Sequence, residues 1–358
     1  MDKKIGVALI GCGVIAPSHL KALSTIEDVR VRALCDIMPE RAKRFAGSFG
    51  ADVLTDYREV AARDDIDVIH ICTPHHTHAD IALSALHAGK YVLCEKPMAI
   101  TFSDAQKIIG CADGRIGFVY QNRYNGPVVR VKRMIDSGEL GPIRTLRASV
   151  CWQRDADYYA ADAWRGAWTT EGGGSLINQA IHTVDLLNYL AGPVISVKGS
   201  YTTDLLRGVV EVDENTHAVL RFQSGIVGLL HTSNSYGVSE PPEIRIVFER
   251  GALRIAGDML LISGEDGVEK LLYREKEMDA GSEKKKVTES ESESESASGY
   301  AGKAVYGNGH MGLIRDFYRC VREKTPFWID AKEAYHSLWT VLSIYESSRR
   351  DDWVSREV

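Results

Sequence analysis

The chain reads as a two-part α/β protein. Residues 1–121 form a doubly wound parallel sheet with crossover helices, and residues 122–358 form a second α/β unit built on an open, mostly antiparallel sheet. Three observations predict this. Before residue 121, short apolar runs without polar alternation are separated by helix-period segments, the pattern of strands buried on both faces. Beyond residue 121 the runs lengthen and alternate, as strands with a single core-facing side do. At 358 residues, 44% hydrophobic and 26% charged, the chain also has enough apolar material for two cores.

In chain order, the short, mostly apolar runs at 5–10, 31–35, 68–72, 91–94 and 116–120 predict buried strands. Helical spacing over 39–49 and 78–88 supplies crossovers, the second closed by Gly89, a residue suited to the left-handed turn after a helix. A helix at 128–137 leads into alternating runs at 143–152, 194–201, 216–222, 226–232 and 244–248, read as the second sheet. Amphipathic segments at 311–322 and 331–348, with the helix after Gly174, are expected to cover one face of that sheet. The other face is then open and partly apolar, the expected surface of a homodimer or homotetramer. The run Glu289-Ser290-Glu291-Ser292-Glu293-Ser294-Glu295-Ser296 cannot bury apolar area and is expected to be a mobile surface loop.

A formal charge of −6 gives no broad attraction to nucleic acid or an anionic membrane, so neither is an expected partner. No apolar stretch of membrane-spanning length and no secretory leader is visible. The seven cysteines follow neither disulfide nor metal spacing and sit mostly in apolar runs, so a reducing cytoplasm is expected.

Gly11-Cys12-Gly13-Val14-Ile15-Ala16 closes the first strand and opens a helix. Its glycines allow a tight turn and backbone approach to a pyrophosphate, which the helix N-terminus stabilises. Asp36 ends the second strand 20 residues beyond Ala16. A carboxylate there accepts from a ribose diol and repels a 2′-phosphate, so the expected cofactor is NAD rather than NADP. The opposing possibility is a glycine turn in a doubly wound domain that binds nothing.

Thr73-Pro74-His75-His76-Thr77-His78 follows the third of these strands, at the carboxyl edge where open α/β sheets bind ligands. Three histidines in four residues lack a suitably spaced cysteine or carboxylate, so no metal is expected. Thr73, Pro74, His75 and His78 are instead assigned to a loop beside the nicotinamide ribose. Glu95-Lys96-Pro97, after the next strand, places an ammonium where substrate meets cofactor, against the alternative of a surface ion pair.

The segment from Gly172-Gly173-Gly174 to Leu187 is unusual as a helix. At about 100° per residue, Asn178, His182 and Asp185 fall within roughly 60° of one another, opposite Leu176, Ala180, Val184 and Leu187. This polar face carries no Lys, Arg or Glu, and the three glycines ahead of it permit close approach of another molecule. It is read as one wall of an active site; the alternative is a surface helix meeting water.

Together, Gly11-x-Gly13-x-x-Ala16, Thr73-Pro74-x-x-x-His78, Ala88-Gly89-Lys90 to Glu95-Lys96-Pro97, Trp164-Arg165, and Gly172-Gly173-Gly174 to His182-x-x-Asp185 resemble the Gfo/Idh/MocA family of oxidoreductases. The resemblance spans almost the whole chain. It implies an N-terminal Rossmann domain, NAD or NADP, sugar-like or cyclitol substrates, and dimers or tetramers formed through the second sheet. It implies that Lys96 sits beside the reacting hydroxyl and that His182 exchanges its proton. Many members carry aspartate four residues before the histidine, where this chain has Asn178; Asn-Gln at this place is similar to members acting on nucleotide sugars. Asn178, Asp185, Arg123 and Tyr124 are expected to bind substrate, and Glu95, Lys96, Trp164 and Arg165 to line the cofactor. His310 is expected to begin a helix.

The resulting expectation is hydride exchange between nicotinamide and a secondary alcohol. Two other outcomes remain open: a redox-neutral glycoside hydrolase or lyase that oxidises its sugar transiently, and a dinucleotide-binding sensor without catalysis.

Overall fold

The computed structural model describes residues 4–275 and 309–356; the Glu-Ser run at 289–296 lies outside them. Strands β1 (Ile5–Ile10), β2 (Val29–Cys35), β3 (Asp52–Leu54), β4 (Val68–Ile71), β5 (Tyr91–Cys94) and β6 (Ile116–Phe118) form a sheet of order β3-β2-β1-β4-β5-β6. Every neighbouring pair is parallel. Val7, Leu9, Val68, Ile69, Val92 and Leu93 are fully buried, because crossover helices cover both faces. These are α1 (Ala16–Leu23), α2 (Pro39–Phe49), α3 (Tyr57–Ala61), α4 (His78–His87) and α5 (Phe102–Cys111). The order reverses between β1 and β4, so the loops leaving their carboxyl ends diverge and open a crevice.

The chain continues through α6 (Gly126–Ser137), β7 (Ile143–Cys151), α7 (Ala156–Ala160), α8 (Ile181–Ala191), β8 (Val194–Thr202), β9 (Asn215–Phe222), β10 (Val227–Ser233) and β11 (Glu243–Phe248). It ends with β12 (Gly251–Ala256), β13 (Met259–Ser263), β14 (Glu269–Arg274), α9 (Gly309–Glu323), α10 (Ala331–Arg350) and β15 (Val354–Ser355). The nine strands form one sheet, order β14-β13-β12-β11-β7-β10-β9-β8-β15, antiparallel except where β7 and β10 run parallel. Alternation sets its faces: Leu146, Ala148, Leu220, Leu230, Ile244 and Ile246 point into the core.

The expected helical cover is partly corrected. α10 lies along β8 and against α8, but α9 leaves the sheet and packs on α1 and residues 121–124. Arg322 of α9 pairs with Asp28 at 2.7 Å, so the chain returns to the first sheet's module late in the sequence. The opposite face of the second sheet is open, with a concavity of about 1030 Å³ lined by Arg147, Lys198, His217, Leu229, His231 and Arg254 among others.

Candidate active site

The loops after β1, β2, β4 and β5 meet at one edge of the parallel sheet. Gly11 has φ +93°, and a Cβ there would lie 2.5 Å from the carbonyl oxygen of Cys72, so the crossing of these two loops requires glycine. A Cβ on Gly13 would meet nothing within 4 Å, so its backbone faces open space at the start of α1. Ala16 is fully buried as the helix begins, while Val14 is 65% exposed over the mouth and Ile15 is partly covered. Asp36 is buried; its Oδ2 accepts from the Cys12 N–H at 2.8 Å and its Oδ1 from the Met38 N–H at 2.9 Å. An open glycine cradle at a helix N-terminus, flanked by a buried carboxylate, fits a dinucleotide. Ile37 and Met38 stand exposed directly after Asp36. Sequence reasoning passed over both, although two apolar side chains directly after a strand-ending aspartate were a visible signal.

Beyond β4, Thr73 and Pro74 are half-buried at the rim. Thr77 Oγ1 donates to Thr73 Oγ1 or to the Pro74 carbonyl, both at 2.7 Å. The histidines are braces: His75 Nδ1 bonds the Glu171 carbonyl at 2.8 Å, and His78 lies between the carbonyls of Pro97 and Thr73 at 2.7 and 2.8 Å. Trp164 packs on His75 with ring centroids 4.7 Å apart and planes tilted by 55°, clamping the second unit to the first. Arg165 lies over Tyr158 and bonds Asp162 at 2.8 Å.

Glu95 is buried rather than part of a surface ion pair. Its Oε1 accepts from His19 Nε2 at 3.0 Å and lies 3.7 Å from Nε2 of His310, on the first turn of α9. Burial opposes its charge, but His19 and His310 outweigh that and hold its carboxyl well below the usual range. His19 Nδ1 meets His70 Nδ1 at 2.8 Å, and His70 Nε2 meets the Tyr318 hydroxyl at 3.0 Å. Ligand atoms of His19, Glu95 and His310 also fall within 4.8 Å of one another, yet both His19 nitrogens are already engaged in this network. Lys96 Nζ donates to the Asn178 carbonyl at 2.9 Å, across the crevice. Burial lowers the ammonium's pKa, while Glu95 and Glu171 favour its charged form.

The segment that supplies Asn178 and His182 is not one continuous α-helix. Ser175–Gln179 form a π-turn, closed by the Ala180 N–H on the Ser175 carbonyl at 2.9 Å, and α8 begins at Ile181. The wider turn displaces Asn178 from the face the 100° rule assigns it. Nor do the glycines admit a ligand: a Cβ on Gly172 would meet Ile100, on Gly173 the Tyr345 hydroxyl, and on Gly174 the Asp213 carbonyl at 2.2 Å. They let the segment descend against the protein's own core. His182 is buried, 3.4 Å from Gln121 Nε2 through its own Nε2. Burial first, then Lys96, holds it well below the usual imidazole pKa, so at neutral pH it is uncharged.

Three expected substrate ligands are placed elsewhere. Arg123 grips Asp185 through Nε and Nη2 at 2.8 and 2.6 Å, and its Nη1 bonds Glu333 at 2.8 Å. Asp185 also accepts from Ser337 at 3.0 Å. The Tyr124 hydroxyl donates to Asp316 at 2.7 Å and accepts from Trp328 at 2.8 Å. These groups spend their polar atoms on one another, fixing α8 and α10 to the turn after β6. Asn178 remains at the crevice. Glu171, missed from the sequence, lies beside it: its Oε1 accepts from Asn178 Nδ2 at 2.6 Å.

Comparison with known proteins bears on this geometry. Residues 5–121 match the oxidoreductase family with an NAD-binding Rossmann fold, and residues 128–254 match the GFO/IDH/MocA C-terminal domain. A levoglucosan dehydrogenase of Pseudarthrobacter phenanthrenivorans is 29% identical over 66% of this chain and 69% of its own length. An inositol 2-dehydrogenase of Salmonella typhimurium is 37% identical over 39% of this chain and 44% of its own. The structure of the WlbA dehydrogenase from Bordetella pertussis, in complex with NADH and UDP-GlcNAcA, superposes with a TM-score of 0.83 at 28% identity, covering 100% of this chain and 99% of that one.

Proposed function

The chain belongs to the GFO/IDH/MocA family of NAD-binding oxidoreductases, and from that premise we propose that it is an NAD-dependent dehydrogenase acting on a secondary alcohol of a sugar, cyclitol or sugar derivative. The observation that carries the reading is the Lys96 ammonium reaching across the crevice to the backbone carbonyl of Asn178, four residues before the buried His182.

Bound NAD supplies the hydride acceptor. The residues in this chain supply the proton chemistry. His182, held neutral, is able to take the hydroxyl proton as the C–H bond breaks. Lys96, whose charged form Glu95 and Glu171 favour against burial, donates to the same oxygen and stabilises its developing negative charge. Asn178 commits its amide nitrogen to Glu171, which leaves its carbonyl oxygen to accept from a substrate hydroxyl. Gly11, Gly13, Val14, Ile15, Ala16 and Asp36 would hold the cofactor's pyrophosphate and ribose, and Thr73 and Pro74 would lie beside its nicotinamide end. In the reductive direction His182 returns the proton while Lys96 donates to the carbonyl oxygen.

The WlbA neighbour's nucleotide sugar and the levoglucosan relative's name both support a polyhydroxylated ring as substrate. Assembly into a dimer or tetramer through the open face of the second sheet is part of the proposal: Val227 and Leu229 stand 45% and 54% exposed on it. A cytoplasmic location suits seven unpaired cysteines, six of them buried. No helix among the described residues is long and apolar enough to cross a membrane.

The test is NADH formation at ~340 nm, the reduced nicotinamide band, against cyclitols, aldoses, uronates and nucleotide sugars, with wild type and Lys96→Met. Turnover on one substrate class, with kcat lowered by about a thousandfold in the variant at unchanged NADH affinity, is expected. Equal kcat in the two proteins overturns the assignment of Lys96.

A further inference from the structure

Glu171 is a fully buried carboxylate with no Lys or Arg nitrogen within 4.0 Å among the described residues, directly before the glycine run. Its Oε2 accepts from the Gly166 N–H and its Oε1 from Asn178 Nδ2, each at 2.6 Å. Its own carbonyl takes His75 Nδ1 from the opposite wall of the crevice. A buried anion without a contacting cation is costly, so its retention calls for a use.

That use follows from what its partner holds. Asn178 presents its amide nitrogen to Glu171 and its backbone carbonyl to the Lys96 ammonium, so one residue links the carboxylate to the catalytic cation. We propose that Glu171 is the positioning carboxylate of this site: it fixes the Asn178 amide with its oxygen outward and keeps the Lys96 ammonium charged inside the crevice. The proposal rests on the dehydrogenase reading for its purpose, but its electrostatic content does not need turnover.

The groups facing Glu171 are consistent with a titrating carboxylate. Burial pushes it up to about 7, and the hydrogen bonds from Gly166 and Asn178 only partly oppose this. Asp213 adds to the rise and Arg165 works against it. Tyr158, Tyr159 and Tyr345 surround it as neutral phenols, their own pKa values raised chiefly by burial. Around Lys96, Glu95 and Glu171 favour the charge. His75 and His182 both lie there with pKa values held low by burial and by that ammonium. Glu171 therefore ionises near neutral pH, and its charge favours the charged form of Lys96.

The experiment is competitive acetylation of Lys96 as a function of pH, read by mass spectrometry on the full-length protein. Glu171→Gln is expected to lower the Lys96 midpoint by about one pH unit, a tenfold change in its neutral fraction at fixed pH. Glu171→Gln combined with Asn178→Asp reverses the donor and acceptor of the same hydrogen bond and returns a carboxylate to the pair, so the midpoint recovers. Should Glu171→Gln fail to fold, Glu171→Asp carries the test: the carboxylate, shortened by one methylene, withdraws from Asn178 and the Lys96 midpoint falls in the same direction by a smaller amount. A Lys96 midpoint unmoved in the foldable variants overturns the proposal. Turnover is read in parallel: in Glu171→Gln the low-pH fall of kcat near pH 7 disappears while NADH affinity holds, whereas persistence of that fall also overturns it. A wild-type protein inactive on every sugar would instead defeat the dehydrogenase reading and leave the acetylation shift to decide on Glu171.

Discussion

Arg123 decides between two uses of one conspicuous cation, and its removal tests them. Its side chain and that of Asp185 are 0% and 1% exposed, joined by two parallel hydrogen bonds, with Tyr189 and Trp328 rings 4.6 and 5.2 Å from the guanidinium. Burial alone would lower the pKa of Arg123; Asp185 and then Glu333 more than offset it. Replacing Arg123 with methionine keeps most of the volume and leaves the Asp185 carboxylate buried with, among the described residues, only Ser337 as side-chain donor. Stranding one member of such a pair costs about 3–5 kcal/mol, a large part of the roughly 5–15 kcal/mol that holds a domain folded. Converting Asp185 to leucine in the same background removes the stranded charge and should return most of that loss, since a buried pair is often replaceable by apolar side chains at about zero net cost. Urea melts at constant m-value give the stabilities, and KM for substrate gives the functional arm. The reasoning is refuted if Arg123→Met melts at the wild-type midpoint while its KM rises about tenfold, for that would put the guanidinium on substrate.

Two further outcomes follow from carboxylates with different duties. Asp36→Ala should weaken NADH by about tenfold more than NADPH, because the carboxylate's gain with a ribose diol and its repulsion of a 2′-phosphate vanish together; fluorescence titration showing equal losses would remove Asp36 from the ribose. Glu171, with its folded pKa near 7 against 4.5, keeps a proton that the unfolded chain releases. Its stabilisation is thus complete below about pH 4.5 and is lost as pH rises through 7, to an upper limit of about 3 kcal/mol. Relative to wild type, Glu171→Gln should therefore be more stable at pH 8 than at pH 5; a difference independent of pH counts against a buried titrating group.

What could be read from the chain divides by the range of the interaction. The parallel sheet was legible because strands such as Ile5–Ile10 are buried on both sides and so carry no polar residue to break the pattern. The glycine cradle and Asp36 were legible because their chemistry is local to two strand ends. β14 was not: most of Glu269–Arg274 is exposed, so no apolar alternation marks it. The π-turn was hidden because periodicity assumes 3.6 residues per turn, and Ser175–Gln179 do not keep it. Arg123 and Asp185 stand 62 residues apart, and a polar residue facing inward looks the same in sequence whether it awaits substrate or another side chain. His19 did leave a signal, sharing the α1 face of Ala16, Leu20 and Leu23, but its partner His70 comes from a different strand.

The distribution of charge across the crevice is the stronger argument for oxidoreduction than any single motif. Burial acts alike on an imidazole and an ammonium, driving both toward neutrality, so a closed site would leave His182 and Lys96 uncharged together. Alcohol oxidation needs them to differ: a base without its proton beside a cation that retains its own. Glu95 alone does not separate them, since it favours the charged form of both. It is kept ionised from behind by His19 and His310, whose Nε2 atoms lie 3.0 and 3.7 Å from its Oε1. Glu171 makes the difference, because it acts on Lys96, while Lys96 in turn presses His182 further toward neutrality. One added carboxylate thus widens, from both sides, the pH interval in which proton acceptor and oxyanion donor coexist.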